Sequence, residues 1–225
     1  MNFDVLKNVL VAALKEEGLG EYEIYYMADE STSVQTLNKE VNSFSSATSG
    51  GLCLRVLVDG KMGYASTELM TESELRELPL RAKANALATE KPDTVGIFAG
   101  SPSYEPLTFK KVELLSAAEL KSYAVKTGEA LFAKDPAVKE GTSSQAICAG
   151  TTIRLVNSHG VDLSLDCGIN ALIGEAVVCV DGGATAQSRK IQRGPQHTHD
   201  LLRGRGCGLP DYSLDFKSLL QVLFK

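Results

Sequence analysis

The sequence predicts an α+β fold in which antiparallel sheets carry about three helices. Three observations predict it. Apolar residues recur at helical spacing in three separate stretches, and they alternate with a period of two through much of the remainder. The pairs Asn38-Lys39 and Asp59-Gly60 stand between β-forming segments as two-residue turn signals. The 225 residues, 44% apolar and 23% charged, suffice to bury one large core or two small ones.

The first helix is expected over residues 3 to 17, where Phe3, Leu6, Leu10, Ala13 and Leu14 form a stripe that Val5, Val9 and Val11 widen, and Gly18 supplies a stop. A strand follows over 21 to 29, with Tyr22, Ile24 and Tyr26 alternating against Glu23 and Tyr25. Between Ser31 and Phe44 two strands meet at Asn38-Lys39, because Asn tolerates the positive φ of a tight hairpin. SSATSGG, residues 45 to 51, reads as a flexible connector. LCLRVLV, a turn at Asp59-Gly60 and KMGYAST then predict a hairpin whose first strand is buried on both faces.

Thr71 with Glu74 has the spacing of a capping box, opening a helix through Leu75, Leu78, Ala82 and Ala86. Pro79 within it predicts a kink or a late start, since proline removes a backbone donor. Residues 91 to 112, with Pro92, Pro102 and Pro106, form a candidate linker. Ser116 with Glu119 opens a third helix through Leu120, Ala124, Thr127 and Leu131, which Asp135-Pro136 ends. Three or four antiparallel strands are expected from 143 to 188, with turns at 158 to 160 and 181 to 183. VDGKMGYAS (58 to 66) and VDGGATAQS (180 to 188) echo each other, which motivates an internal duplication. From Arg189 the composition shifts. Residues 189 to 225 hold seven Lys or Arg, three Asp and no Glu, so the domain reading is 1 to 188 followed by an atypical tail.

The net charge of −5 offers no general attraction for nucleic-acid phosphates. No apolar run approaches a membrane span, and the N-terminus lacks the pattern of a signal peptide, so a cytoplasmic location is expected. Five widely spaced cysteines, Cys53, Cys148, Cys167, Cys179 and Cys207, without a C-x-x-C, read as reduced thiols. A G-x-S-x-G nucleophile elbow does not occur, Gly60-Lys61 lacks the rest of a phosphate loop, and GRGCG (204 to 208) has neither a preceding strand nor a following helix.

The histidines are His159, His197 and His199. His159 in NSHG reads as a turn residue. His197 and His199, two apart and followed by Cys207, could form a metal cluster only if a Gly/Pro-rich segment ordered around the ion, and the simpler reading is a solvated tail. The acidic residues Glu16, Glu17, Glu72, Glu74, Glu77 and Glu119 fall on solvated faces or in first helical turns, and Asp59 and Asp181 have turn roles. No catalytic, cofactor-binding or metal-ligating residue is assigned.

In combination, the strand pair STSVQTLNKEVNSFSS, then GGLCLRVLVDGKMGYAST with an acidic-start helix, and finally IRLVNSHGVDLSLDCGINALIGEAVVCVDGG resemble the N-terminal half of the TldD/PmbA family, also called the modulator of DNA gyrase family. The NSHG turn and the strands after it are similar to the PmbA branch. The resemblance covers about residues 1 to 188 of chains roughly twice as long as this one. It implies an N-terminal domain of a PmbA-like subunit, paired with a TldD-like subunit or a second copy, in a zinc metallopeptidase dimer that takes unfolded peptides. The family's zinc sits on a His-Glu-x-x-x-His helix in the C-terminal half of the TldD branch. That motif does not occur here, so zinc is expected in the partner, with no cofactor in this chain and no hydrolysis by it alone. A frameshift or truncation would account for the break at Arg189. The rival expectation is a stand-alone module whose sheet edge accepts an extended peptide without any peptidase activity.

Overall fold

A computed structural model describes residues 2 to 101, 112 to 179 and 185 to 193, the last group for its backbone alone. Its elements are α1 (Phe3–Glu16), β1 (Tyr22–Leu37), β2 (Glu40–Val58), β3 (Lys61–Thr67), α2 (Glu72–Ala88), α3 (Ala117–Lys134), β4 (Val138–Asn157), β5 (Asp162–Cys179) and β6 (Thr185–Arg193). The strands form a sheet in the order β3-β2-β1-β4-β5-β6. A helix followed by a three-stranded meander thus occurs twice, as α1 with β1 to β3 and as α3 with β4 to β6. This is the α+β class.

The described residues gather into two units. The first comprises 2 to 30, 48 to 101 and 151 to 167; the second comprises 31 to 47, 112 to 150 and the described residues from 168 on. In the first, Leu6, Leu10 and Leu14 of α1, Ile24 of β1, Leu52, Leu54 and Val56 of β2, and Leu75, Leu78 and Ala82 of α2 share one core. Both helices present the predicted stripes to it. In the second, Val34, Leu120, Ala124, Ala146, Cys148 and Leu172 pack together. Beneath α3 lies a polar seam in which the Thr36 and Ser144 hydroxyls stand 2.6 Å apart, and Ser144 also bonds the Ala124 carbonyl at 2.6 Å.

Both hairpin turns are where the dipeptides place them. Asn38 and Lys39 have φ of 51° and 76°, and Asp59 and Gly60 have 50° and 73°. Only glycine takes such angles without steric cost, so Gly60→Val is expected to cost on the order of 1–2 kcal/mol, read as a shift in the urea midpoint.

Several expectations need correction. Residues 45 to 51 are not a connector: β2 runs unbroken from Glu40 to Val58, and serine and threonine there serve as strand residues. Likewise β1 is one strand through Asp29 to Ser31. LCLRVLV is not buried on both faces. Leu52, Leu54 and Val56 are buried under the helices, whereas Cys53, Arg55 and Leu57 are only half-covered. In β3 the inward residues are Gly63 and Ala65, while Tyr64 and Ser66 face outward.

α2 begins at Glu72, without a late start, and continues through a buried Pro79. Its capping box is half-formed. Thr71 accepts from the Glu74 amide at 3.4 Å, but the Glu74 carboxylate pairs with Arg81 at 3.1 Å. The box at α3 is complete, with Ser116 accepting from the Glu119 amide and Glu119 accepting from the Ser116 amide at 2.8 Å.

Those bonds from the Ser116 side chain and backbone hold the Glu119 carboxyl below its ordinary pKa. A depressed acid contributes its full stabilisation above its unfolded pKa and loses it as pH falls through the folded value. The gap in thermal midpoint between wild type and Glu119→Gln is therefore expected to close on acidification below the ordinary glutamate range.

β6 spans Thr185–Arg193 and so includes position 189. The turn at 181 to 183, residues 102 to 111 of the linker, and 194 to 225 with His197, His199 and Cys207 lie outside the described residues. Residues 91 to 101 lack regular structure but are tied down: the Asp93 carboxylate accepts from the Met62 amide at 2.6 Å, and the Phe98 carbonyl accepts from Asn157 at 2.7 Å. Among the described residues no helix is long and apolar enough to cross a membrane.

Candidate functional site

Alternation along β1, β2 and β3 divides the first unit's part of the sheet into a face under α1 and α2 and an open face. The open face carries Glu23, Tyr25, Met27 and Asp29 from β1, Cys53, Arg55 and Leu57 from β2, and Tyr64 and Ser66 from β3. Pairing Cys53 with Ser66 and Arg55 with Tyr64 sets the β2 and β3 rows side by side. Tyr25, Met27 and Tyr64 are exposed there at 39%, 38% and 53%, apolar area that no helix of this unit covers.

On this face lies a groove of about 510 Å³, lined by Tyr25, Met27, Asp29, Gly51, Cys53 and Ser66 among others. Its depth comes from the sequence directly. Gly51, on the same face as Cys53, puts bare backbone where a side chain would stand, and a Cβ there would find nothing nearer than the Thr67 carbonyl at 3.7 Å. Asp29 is held by a short hydrogen bond from the Thr151 hydroxyl.

Beside the groove sits a partly buried ion pair. Arg55 donates to Glu23 across β1 and β2 at 2.7 Å, with side-chain exposures of 30% and 11%. Burial works against the charge on Arg55, but Glu23 and then Tyr64 outweigh it and raise the pKa of the guanidinium. Its Nε is buried without a partner. Removing Glu23 would leave that cation half-buried and unpaired, so Glu23→Ala is expected to cost about 2 kcal/mol, with Glu23→Gln recovering part of it, by chemical denaturation. Burial pushes the Cys53 thiol up, opposed by Arg55 and aided by Glu23, so it stands protonated rather than as a nucleophile.

The residues weighed from the sequence fall elsewhere. His159 sits in the turn after β4, its Nε2 2.7 Å from the Glu21 carboxylate. Asn157 organises that turn, accepting from the amides of His159 and Val161 at 3.0 and 3.2 Å. Cys53, Cys148, Cys167 and Cys179 are free thiols; Cys148 is buried, whereas Cys167 is exposed despite its strand setting. Asp59 stays in its turn. The Glu23–Arg55 pair and the groove were missed. Their signals were a lone arginine inside LCLRVLV and two consecutive glycines before it.

Residues 22–86, the span from β1 to α2 that builds this groove and its supporting core, match the family described as PmbA/TldA metallopeptidase domain 1. Over that span the chain is similar to a PmbA/TldD first domain. The fold is similar to those of three solved structures. A protein named a modulator of a DNA gyrase from Thermotoga maritima is 21% identical, with a TM-score of 0.69 over 88% of this chain and 45% of its own. A second so named, from Bacteroides thetaiotaomicron, is 18% identical, with a TM-score of 0.67 over 85% and 44%. TldE from Thermococcus kodakarensis is 16% identical, with a TM-score of 0.59 over 83% and 42%. The chain therefore spans less than half the length of each. No curated protein sequence matches it.

A PmbA/TldD metallopeptidase implies a metal. Among the described residues no group of three His, Cys, Asp or Glu could hold one.

Proposed function

We propose that this chain is the N-terminal domain of a PmbA-like subunit in a cytoplasmic, TldD/PmbA-type zinc metallopeptidase complex, where it serves assembly and lines the path of unfolded peptides. The observation that carries this reading is the match of residues 22–86 to PmbA/TldA metallopeptidase domain 1. Hydrolysis belongs to a partner subunit that supplies the zinc.

The groove supports the assignment. Its glycines, serines and aromatic and thioether side chains offer backbone approach and adaptable apolar contact, which suits peptides of varied sequence. Gly51→Leu fills that space without crowding the backbone, since nothing lies closer than 3.7 Å to the added Cβ. The variant is expected to keep its unfolding midpoint yet lose roughly tenfold or more in affinity for a fluorescently labelled unfolded peptide, measured by anisotropy.

Co-expression with a subunit bearing a His-Glu-x-x-x-His helix tests assembly. Co-elution through size exclusion is expected. Peptide binding without co-elution would favour the stand-alone binding module instead.

A further inference from the structure

We propose that the groove on the open face of the first unit selects basic peptide segments, taking a lysine or arginine side chain across Gly51 with its charge toward Asp29 and Glu68. This rests on the reading of the groove as part of a peptide path and names the class of peptide taken there.

β1 and β2 are neighbours joined by the turn at Asn38-Lys39, and so run antiparallel. A Cβ on Gly50 would lie 3.5 Å from the Ala28 Cβ, so these two residues stand side by side. One step along, Gly51 falls next to Met27 and Ser49 next to Asp29, and alternation puts all four on the open face. Across β2, the Glu68 Cγ would be 3.9 Å from a Cβ at Gly51. The missing side chain of Gly51 thus leaves a gap between the Met27 thioether and the Glu68 side chain. The Tyr25 hydroxyl lies 3.7 Å from the Met27 sulfur, so these two form one wall of it.

The charge on the lining has one sign. Among the described residues that line the groove are two carboxylates, Asp29 and Glu68, and no lysine, arginine or histidine. Asp29 accepts from the Thr151 hydroxyl, a neutral partner that fixes the carboxylate without compensating its charge. Arg55, the cation next to the groove, is bound to Glu23 at 2.7 Å, and that pair adds little net charge. The field within the groove is therefore negative.

Charge complementarity indicates the occupant. A lysine or arginine side chain has an aliphatic stem that gains from apolar contact and a charged end that must stay paired or solvated. The gap over Gly51 matches both parts. Met27 and Tyr25 offer the stem a thioether and an aromatic ring, the ring also attracting a cation over its face, and the carboxylates of Asp29 and Glu68 receive the charged end. An acidic segment meets repulsion from the same two groups. An apolar side chain takes the wall contact but desolvates the carboxylates without compensation.

Fluorescence anisotropy on the full chain tests this with labelled unfolded peptides that differ at one central position, which is lysine, norleucine or glutamate. The lysine peptide is expected to bind at least about tenfold tighter than the glutamate peptide, with norleucine between them, and the spread to narrow as salt is raised. Glu68→Gln and Asp29→Asn are each expected to cut the preference for lysine over norleucine about threefold. Glu68→Lys is expected to move the preference toward glutamate. Circular dichroism checks the fold, and the variants at Glu68, an exposed position, carry the test should Asp29→Asn fail to fold. Equal affinity for the three peptides, or a lysine preference that survives these substitutions, overturns this inference and leaves the peptide path standing. Binding of none of the three overturns the peptide-path reading and this inference with it.

Discussion

Gly63→Ala is expected to destabilise the protein by about 3 kcal/mol, although it adds a single methyl group. Ordinarily a β3 alanine would be an improvement, since glycine weakens strands. Here α2 lies directly on β3. A Cβ built on Gly63 would run into the Ala82 carbonyl oxygen and come within 2.6 Å of the Ala86 amide nitrogen and 2.8 Å of its Cβ. The first two are backbone atoms of a helix, which cannot rotate aside as a side chain would. Either α2 lifts from the sheet, loosening Leu75, Leu78 and Ala82 from their core, or β3 bends. Urea unfolding of Gly63→Ala should show a large drop in midpoint. Gly51→Ala, whose Cβ would make only ordinary van der Waals contacts from 3.7 Å outward, should show almost none.

Leu54→Ala is expected to cost a similar amount, about 3–4 kcal/mol, for the opposite reason. Leu54 is wholly buried between the sheet and the helices α1 and α2, among Leu10, Ile24 and Leu78. Truncation loses the transfer free energy of the removed carbons and leaves a void that two helices and a strand cannot collapse around. Leu37→Ala, at a position 40% exposed at the end of β1, is the control and should be near neutral by the same denaturation measurement.

Those two positions also show what can be read from a sequence of this kind. Local rules worked where the cause was local. Two successive positive-φ residues made the turns at Asn38-Lys39 and Asp59-Gly60, a serine three residues before a glutamate capped α3, and the stripe Leu6, Leu10, Leu14 marked the buried face of α1. The errors arose where a neighbour decided the outcome. In β3 the close approach of α2 selects Gly63 and Ala65 as the residues beneath the helix, and Tyr64 turns toward the open face. SSATSGG has the composition of a linker, yet pairing within the sheet holds it as the middle of β2.

The candidate site was the least legible part. Nothing near Glu23 marks it as an ion-pair partner, because Arg55 is thirty-two positions away and only the pairing of β1 with β2 brings them together. The family resemblance was easier to recognise than the site itself, since the hairpin LCLRVLVDGKMGYAST lies within the matched span 22–86 and is contiguous in sequence.

The most direct test of the proposed role is a peptide hydrolysis assay run on the purified chain alone, on a partner subunit bearing His-Glu-x-x-x-His alone, and on the two together. Cleavage of an unfolded peptide is expected only where the partner is present, sensitive to a zinc chelator and enhanced by this chain, with Gly51→Leu giving less enhancement than wild type. Chelator-sensitive cleavage by this chain alone, or a partner whose rate and binding are indifferent to it, would contradict the account.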